Sequence, residues 1–404
     1  MTDLGIVIVN WNTRDLLKRC LQSVFSNGDL SYKVVVVDNA SSDGSAEMVS
    51  DEFPETILIP NETNVGFSRA NNQGLRRLGF DRGLRSRETP RYALLLNPDT
   101  EVPPEGLSSM IRYMDREDRQ DVGGAGCKLV LPDGSLDPAC RRSFPTPLVS
   151  FYRLVGLSSL FPGSRRFAQY NMTYLDPDVE TELDSVVGAF MMVRQEVVEQ
   201  VGLLDEGYWM YGEDLDWALR IKQAGWKIMY NPGVTVLHVK RAASRRNPEA
   251  GVAFYRAMLK FYRDHYRRTT PLWLHLLVMA GLNLRLEDHY LMALVRAHLC
   301  EGLMAHEQPR SGTGFTVGLL SILDLLLGRP MDEILAELPL SDEITGALLH
   351  REGHAGNALE CACCVEDGEW QRVAFPGLER EEIYRLYLEA SEQAFLDQRS
   401  LKEL

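Results

Sequence analysis

The first hundred residues alternate short apolar, β-branched runs with segments whose apolar positions recur at helical spacing. GIVIVNW predicts a buried strand, and TRDLLKRCLQSVFS then places Leu16, Leu17, Leu21, Val24 and Phe25 on one helix face, with Thr13 as N-cap. YKVVVVDNASSDGS predicts a second strand running into a polar turn. SAEMVSDEF follows as a short helix, TILIPN as a third strand, and SRANNQGLRRLG as a helix entered through a turn at Gly66. YALLLNPDTEV is a fourth strand that again ends in polar residues. Such βαβ units build a parallel sheet covered by helices on both faces. Ligands of these sheets collect at the carboxyl ends of the strands, so Asn10, Asp38, Asn64 and Asp99 are candidates to share one crevice.

Beyond Pro103 the pattern loosens. LSSMIRYMDR reads as a helix, and GAGCKLVLPDGSLDPACRR as a strand, a PDG turn and another strand. Residues 144–182 are aromatic, Pro-containing and poorly periodic, which predicts a mobile loop or an insertion on the acceptor side. SVVGAFMMVRQEVVEQVG returns as strand then helix, YGEDLDWALRIKQAGW as an amphipathic helix after an acidic turn, and KIMYNPGVTVLHVK as a strand pair. Residues 250–268 are helical, with basic and aromatic positions mixed, and the remainder is helical by periodicity.

Charge divides the chain. Its 43 Lys+Arg and 57 Asp+Glu give a net charge of -14. Residues 286–404 hold 9 of the basic and 22 of the acidic residues, a net -13, and leave the preceding body nearly neutral. Neither part offers a face for nucleic acid, and no such partner is expected. The seven cysteines are odd in number and scattered, which fits a reducing cytosol better than a disulfide framework. The start MTDLG carries no basic leader, and the apolar run LWLHLLVMAGLNL, broken by His275, is shorter than the ~20 residues of a membrane span. The expected location is therefore cytoplasmic.

Four features are able to carry chemistry, each beside a plainer reading. Asp99 stands in NPDTE at the end of an apolar strand, where a carboxylate reaches a hard cation and Asn97 assists; NPDT is also an ordinary turn. Asp38 closes VVVVDNASSDGS and suits a nucleobase N–H or ribose hydroxyls, or equally an Asx-turn. The turn NETNVGFSRANNQG presents Asn64 and backbone N–H groups to a nucleotide or phosphate, or simply caps a helix. In YWMYGEDLDWALR an aromatic cluster leads into Glu213, Asp214 and Asp216 at a helix start, where the helix dipole favours acids in any case. His238, at the end of VTVLH, is either a third ligand or a satisfied core histidine.

Their order is more specific than any one of them. VNWNTRDLLKRCLQSV, DNASSDGS, NVGFSRANNQG, LLLNPD, GAFMMVR, VGLLDEGYWMYGEDLDWALRIKQAGW and VLHVK together resemble a family 2 glycosyltransferase, most closely its rhamnosyltransferase branch, over residues 4–270. The resemblance implies a GT-A fold: a Rossmann-like, mixed but mostly parallel sheet with helices on both faces. It implies a nucleoside-diphosphate sugar as donor, a divalent cation such as Mg²⁺ or Mn²⁺, and inversion by direct displacement. Carried over residue by residue, Asp38 contacts the nucleoside with Asn10, Asn39, Asn64, Gly66, Asn71 and Asn97 around the donor. Asp99 and His238 hold the cation, Asp214 is the general base with Glu213 beside it, and Trp209 and Tyr211 line the acceptor side. Many relatives carry a DxD triplet, and Asn97 occupies its first position here. The implied acceptor is a cell-surface polysaccharide or polyprenyl-linked glycan; a UDP-hexose donor, or a nucleotide-sugar-binding regulator without turnover, are the alternatives.

The domain reading is a catalytic domain over 1–270, an amphipathic and apolar linker over 271–290 and an acidic helical bundle over 291–404. Lys260, Arg263, Arg267 and Arg268 beside the apolar stretch either attach to an anionic membrane surface or pack on the catalytic body. The run FTVGLLSILDLLLGRPMDEILAELPLSDEITGALLHREGHAGNAL resembles the C-terminal half of an HDOD domain. His350, His354, Cys361, Cys363 and Cys364 fit no common zinc spacing, and buried cysteines on a helix face are the simpler reading.

Overall fold

The computed structural model describes residues 2–28, 30–80, 88–154, 156–239, 249–305, 312–324, 330–336, 338, 340–366 and 369–402. It forms two compact units, Met1–Arg245 with Arg256–Gly281, and Arg246–Tyr255 with Leu282–Leu404. Part of the HDOD-like run, and Lys240 of VLHVK, lie outside the described residues.

The first unit is built on a nine-stranded sheet. Its strands are β1 Leu4–Asn10, β2 Tyr32–Asp38, β3 Ile57–Pro60, β4 Tyr92–Leu96, β5 Thr100–Glu101, β6 Val122–Val130, β7 Thr181–Leu183, β8 Phe190–Arg194 and β9 Lys227–His238. The order is β3-β2-β1-β4-β8-β6-β9-β5, with β7 against β9. β1, β2, β3 and β4 run parallel, as do β6 and β9, while β8 is antiparallel to both β4 and β6. This is the mixed, mostly parallel sheet of the GT-A fold. The apolar runs of β1 and β4, and of β2 from Val34 onward, are buried along their length, as expected for strands covered on both faces.

Local expectations are corrected at several points. The segment after the PDG turn is no strand: Leu136 makes a single bridge to Val130, and Pro138–Cys140 coils into a 3₁₀ turn because Asp137 caps the Ala139 N–H at 3.0 Å and Pro138 fixes φ. KIMYNPGVTVLH is one strand rather than a pair. Its NPG is accommodated as a bulge, where β6 advances from Cys127 to Lys128 while β9 advances from Asn231 to Thr235. Residues 144–182, expected as a mobile loop or an insertion on the acceptor side, carry helices Pro147–Leu154 and Leu157–Leu160. Thr13 precedes helix Arg14–Phe25 as expected, yet its hydroxyl donates to Asn10 Oδ1 at 2.6 Å instead of capping.

The second unit is helical. Cys300, Leu303, Val317, Ala347, Leu348, Leu359 and Ile383 share one core, with Cys361 and Cys364 buried on helix Gly353–Glu366. Arg296 and Glu366 form a buried ion pair at 2.6 Å. Among the described residues, no helix is long and apolar enough to cross a membrane.

Candidate active site

Register brings the first two candidates together. Asn10 and Asp38 are partners at the last positions of β1 and β2, so their side chains leave the same edge of the sheet. Asn10 Nδ2 donates to Asp38 Oδ1 at 2.9 Å, and the Ser41 N–H donates to Asp38 Oδ2 at 3.0 Å. Both side chains are buried. These donors orient the Asp38 carboxylate, whose remaining lone pairs are available to an N–H or hydroxyl of a ligand.

Asn39 ties β2 to the next turn. Its Nδ2 donates to Asn64 Oδ1 at 2.7 Å, and its Oδ1 accepts from the Val65 N–H at 3.0 Å. Asn64 Oδ1 also accepts from the Gly66 N–H at 3.0 Å. Gly66 has φ +85, and a Cβ there would lie 2.6 Å from Cδ1 of Trp209. Only glycine fits this turn, because it alone tolerates both the conformation and the indole. The Phe67 N–H then donates to the Trp209 carbonyl at 2.6 Å, so this turn and the aromatic run before Glu213 form one structure. Asn71 is buried and spends its Nδ2 on the Phe67 carbonyl at 2.9 Å.

β5 aligns the third group, since Thr100 is the register partner of His238 and the Val239 N–H donates to the Asp99 carbonyl at 2.8 Å. His238 Nε2 lies 3.4 Å from Asp99 Oδ1, and Nδ1 lies 2.9 Å from Asp137 Oδ2. Burial alone would hold this imidazole neutral, but the hydrogen bonds to Asp137 and Asp99 and their charges raise its pKa to about 9. Asn97 Oδ1 is buried with no hydrogen-bond partner.

The fourth group is the acidic helix start. Tyr211 and Gly212 both adopt positive φ, 68 and 80, and turn the chain sharply into helix Glu213–Gln223. Glu213 and Asp214 are buried in its first turn. Asp214 Oδ2 accepts from Arg142 at 2.6 Å and from the Gly188 N–H at 2.9 Å. Burial and the neighbouring Asp214 charge lift the Glu213 carboxyl to about 8, and its Oε2 has no hydrogen-bond partner. The peptide 188–189 links this group to the previous one, because the Ala189 carbonyl accepts from the Asn97 N–H at 3.1 Å. Asp216 faces away from this pairing, to Arg220 at 2.8 Å and His265 at 2.9 Å.

Sequence reasoning missed Asp137 and Arg142. Both lie in SLDPACRRSF, read as a strand, where Asp-Pro signalled only a turn. A carboxylate with 0% exposure beside the late histidine, and an arginine beside the acidic helix, are visible only in three dimensions.

Residues 5–131 match the model of glycosyl transferase family 2. Among curated proteins the chain is 29% identical over 255 residues to the N-acetylglucosaminyl-diphospho-decaprenol L-rhamnosyltransferase of Mycobacterium tuberculosis, covering 63% of this chain and 81% of that one. It is 26% identical over 237 residues to the rhamnosyltransferase WbbL of Escherichia coli, covering 58% and 82%. The HDOD resemblance of the C-terminal segment has slighter support, 38% identity over 105 residues to the Bacillus subtilis protein YuxH, a quarter of either chain. With the sheet, its buried carboxylates and these relatives in agreement, residues 5–131 carry a glycosyl transferase family 2 domain and the protein is a glycosyltransferase.

Proposed function

We propose that the protein transfers a hexose, rhamnose before others, from a nucleoside-diphosphate sugar to a polyprenyl-linked glycan acceptor, with inversion. The two relatives named as rhamnosyltransferases support the sugar, and the lipid-linked acceptor in the name of one supports the second substrate. The observation that carries the chemistry is the buried pair Glu213–Asp214, fixed by Arg142 and the Gly188 N–H and joined through 188–189 to Asn97.

Asp38, with Asn10, receives the nucleoside, and the turn 64–66 closes over the donor. The two carboxyls of the pair differ. Arg142 keeps Asp214 beside a fixed positive charge, while burial and the Asp214 charge push the Glu213 carboxyl up, toward its protonated form. Asp214 is then the proton acceptor. The acceptor oxygen attacks the anomeric carbon as its proton passes to Asp214, and the bond to the diphosphate breaks on the opposite face. Trp209 and Tyr211 flank the acceptor.

A divalent cation fits the residues present. Asp99 and His238 Nε2 lie 3.4 Å apart and would hold it, Asn97 Oδ1 is an unpartnered oxygen close by, and Asp137 fixes the imidazole from behind. Bound there, it would neutralise the departing diphosphate. Among the described residues no three acidic, His or Cys side chains form a ready cage, so donor oxygens would complete the coordination.

Incubation with dTDP-rhamnose, Mn²⁺ and a polyprenyl-diphosphate-linked N-acetylglucosamine tests the reading. Mass spectrometry is expected to show a deoxyhexose added to the acceptor by the wild type and none with Asp214→Asn. Transfer from UDP-glucose instead would displace rhamnose and keep the enzyme class.

A further inference from the structure

We infer that the insertion over residues 147–167 is a membrane-facing surface that seats the enzyme on anionic lipid headgroups. This rests on the lipid-linked acceptor proposed above only for its purpose; the surface itself is argued from its own residues.

Three large apolar side chains stand out of this segment. Leu148 is 43% exposed, Leu160 69% and Phe161 46%. Leu160 and Phe161 follow one another at the end of the short helix Leu157–Leu160, so they project as a pair. Behind them lies an aromatic cluster, with Phe161 and Phe167 ring centroids 5.5 Å apart and Phe167 edge-on to Tyr152 at 5.0 Å. The cluster holds the outward pair on a firm base.

Charge selects the occupant. From Ser143 to Leu175 the chain has no acidic residue and no lysine but three arginines, Arg153, Arg165 and Arg166, in a protein of net charge -14. All three are exposed. Arg166 Nε donates to the Tyr152 hydroxyl at 3.2 Å, and Arg153 lies over the Tyr170 ring at 4.3 Å, so guanidinium groups are fastened around the aromatic cluster. An apolar tip within an arginine collar matches the boundary between acyl chains and anionic headgroups. By contrast Lys260, the first basic residue of the 260–268 stretch, is engaged by Asp205 at 2.9 Å and Asp264 at 2.6 Å.

The surface is tied to the chemistry. The Ser143 N–H donates to the Tyr170 carbonyl at 2.9 Å, and the adjacent Arg142 holds Asp214. A lipid-linked sugar entering along this face from a bilayer would arrive beside the base.

The test uses the full-length protein and sedimentation with vesicles of phosphatidylglycerol and phosphatidylcholine, or phosphatidylcholine alone. Wild type is expected to bind the anionic vesicles at low salt and to be released by high salt. L160S/F161S and R165E/R166E are each expected to weaken binding by about tenfold or more, with unchanged melting temperature and unchanged affinity for dTDP. Failure of wild type to bind anionic vesicles overturns the proposal, as does equal binding by both variants. Conversion of a wild-type dimer to monomer by these substitutions without vesicle binding also overturns it, assigning the patch to a second copy. Loss of dTDP affinity in wild type as well would strike the donor reading and leave the vesicle result to stand by itself.

Discussion

Arg142 donates to Asp214 Oδ2 at 2.6 Å, and both side chains are less than a tenth exposed. Removing one member of such a pair leaves a buried charge without compensation, which costs about 3–5 kcal/mol. Arg142→Met is therefore expected to lower the melting temperature markedly, and Asp214→Asn to lower it less while still folding, because the asparagine carbonyl oxygen can still accept from Arg142. The asparagine variant should lose roughly 10²–10⁴-fold in kcat and still bind donor in calorimetry. Unchanged turnover would remove Asp214 from the role of base.

Glu213 sets a pH dependence. Its folded pKa, about 8, exceeds its ordinary value of 4.5. The folded protein keeps a proton that the unfolded chain releases, so this stabilisation is full below the ordinary value and is lost as pH rises through about 8. Wild type is expected to become less stable to urea as pH rises from 4.5 to about 8. Glu213→Gln should flatten that decline, and an equally steep decline in the variant would contradict the assignment.

Asp137 acts through His238. Its carboxylate has 0% exposure and fixes Nδ1, which leaves Nε2 directed at Asp99. Asp137→Asn is expected to weaken Mn²⁺ affinity by about 10–100-fold, read by isothermal titration in the presence of dTDP. Asp99→Asn should remove measurable binding under the same conditions. A D137N protein that binds Mn²⁺ as wild type does would make Asp137 a turn residue only.

Gly66 joins the turn 64–66 to the aromatic run before Glu213 through Trp209. Gly66→Ala combines a positive φ with a contact of 2.6 Å to the indole. The expected cost is roughly 1–3 kcal/mol, visible as a lower melting temperature. Trp209→Ala in the same chain should recover part of it, because the contacts with the indole are relieved while the backbone strain and the 2.8 Å contact with the Trp209 carbonyl remain.

Much of the donor half was legible in the sequence. The runs of β1 and β4, and of β2 from Val34 onward, are apolar, and each ends abruptly in polar residues, so the strand ends and their edge of the sheet could be read off directly. Asn10 and Asp38 follow from that periodicity alone. The other half was not legible in the same way. Asp137 sits in a segment whose alternation imitates a strand, and the capping of Ala139 that overrides it is a local hydrogen bond with no periodic signature. Arg142 meets Asp214 across 72 residues, a pairing that no spacing rule anticipates. Asp99 and His238 were foreseen as neighbours through the family resemblance; what the sequence hid was that a second carboxylate flanks the imidazole.

The bulge in β9 has a meaning beyond the sheet. Three residues, Pro232, Gly233 and Val234, lie on β9 between the partners of Cys127 and Lys128, which are consecutive on β6. Upstream of it the strand belongs to the scaffold; downstream it carries His238. Because successive strand residues point to opposite faces, the register regained at Thr235 decides which way the imidazole points. The bulge is thus a phase adjuster. It takes up the unpaired residues, so that Thr235–His238 meet Lys128–Val130 and Thr100 in the one register that turns His238 toward Asp99, and a slip of that register by one residue would turn it away.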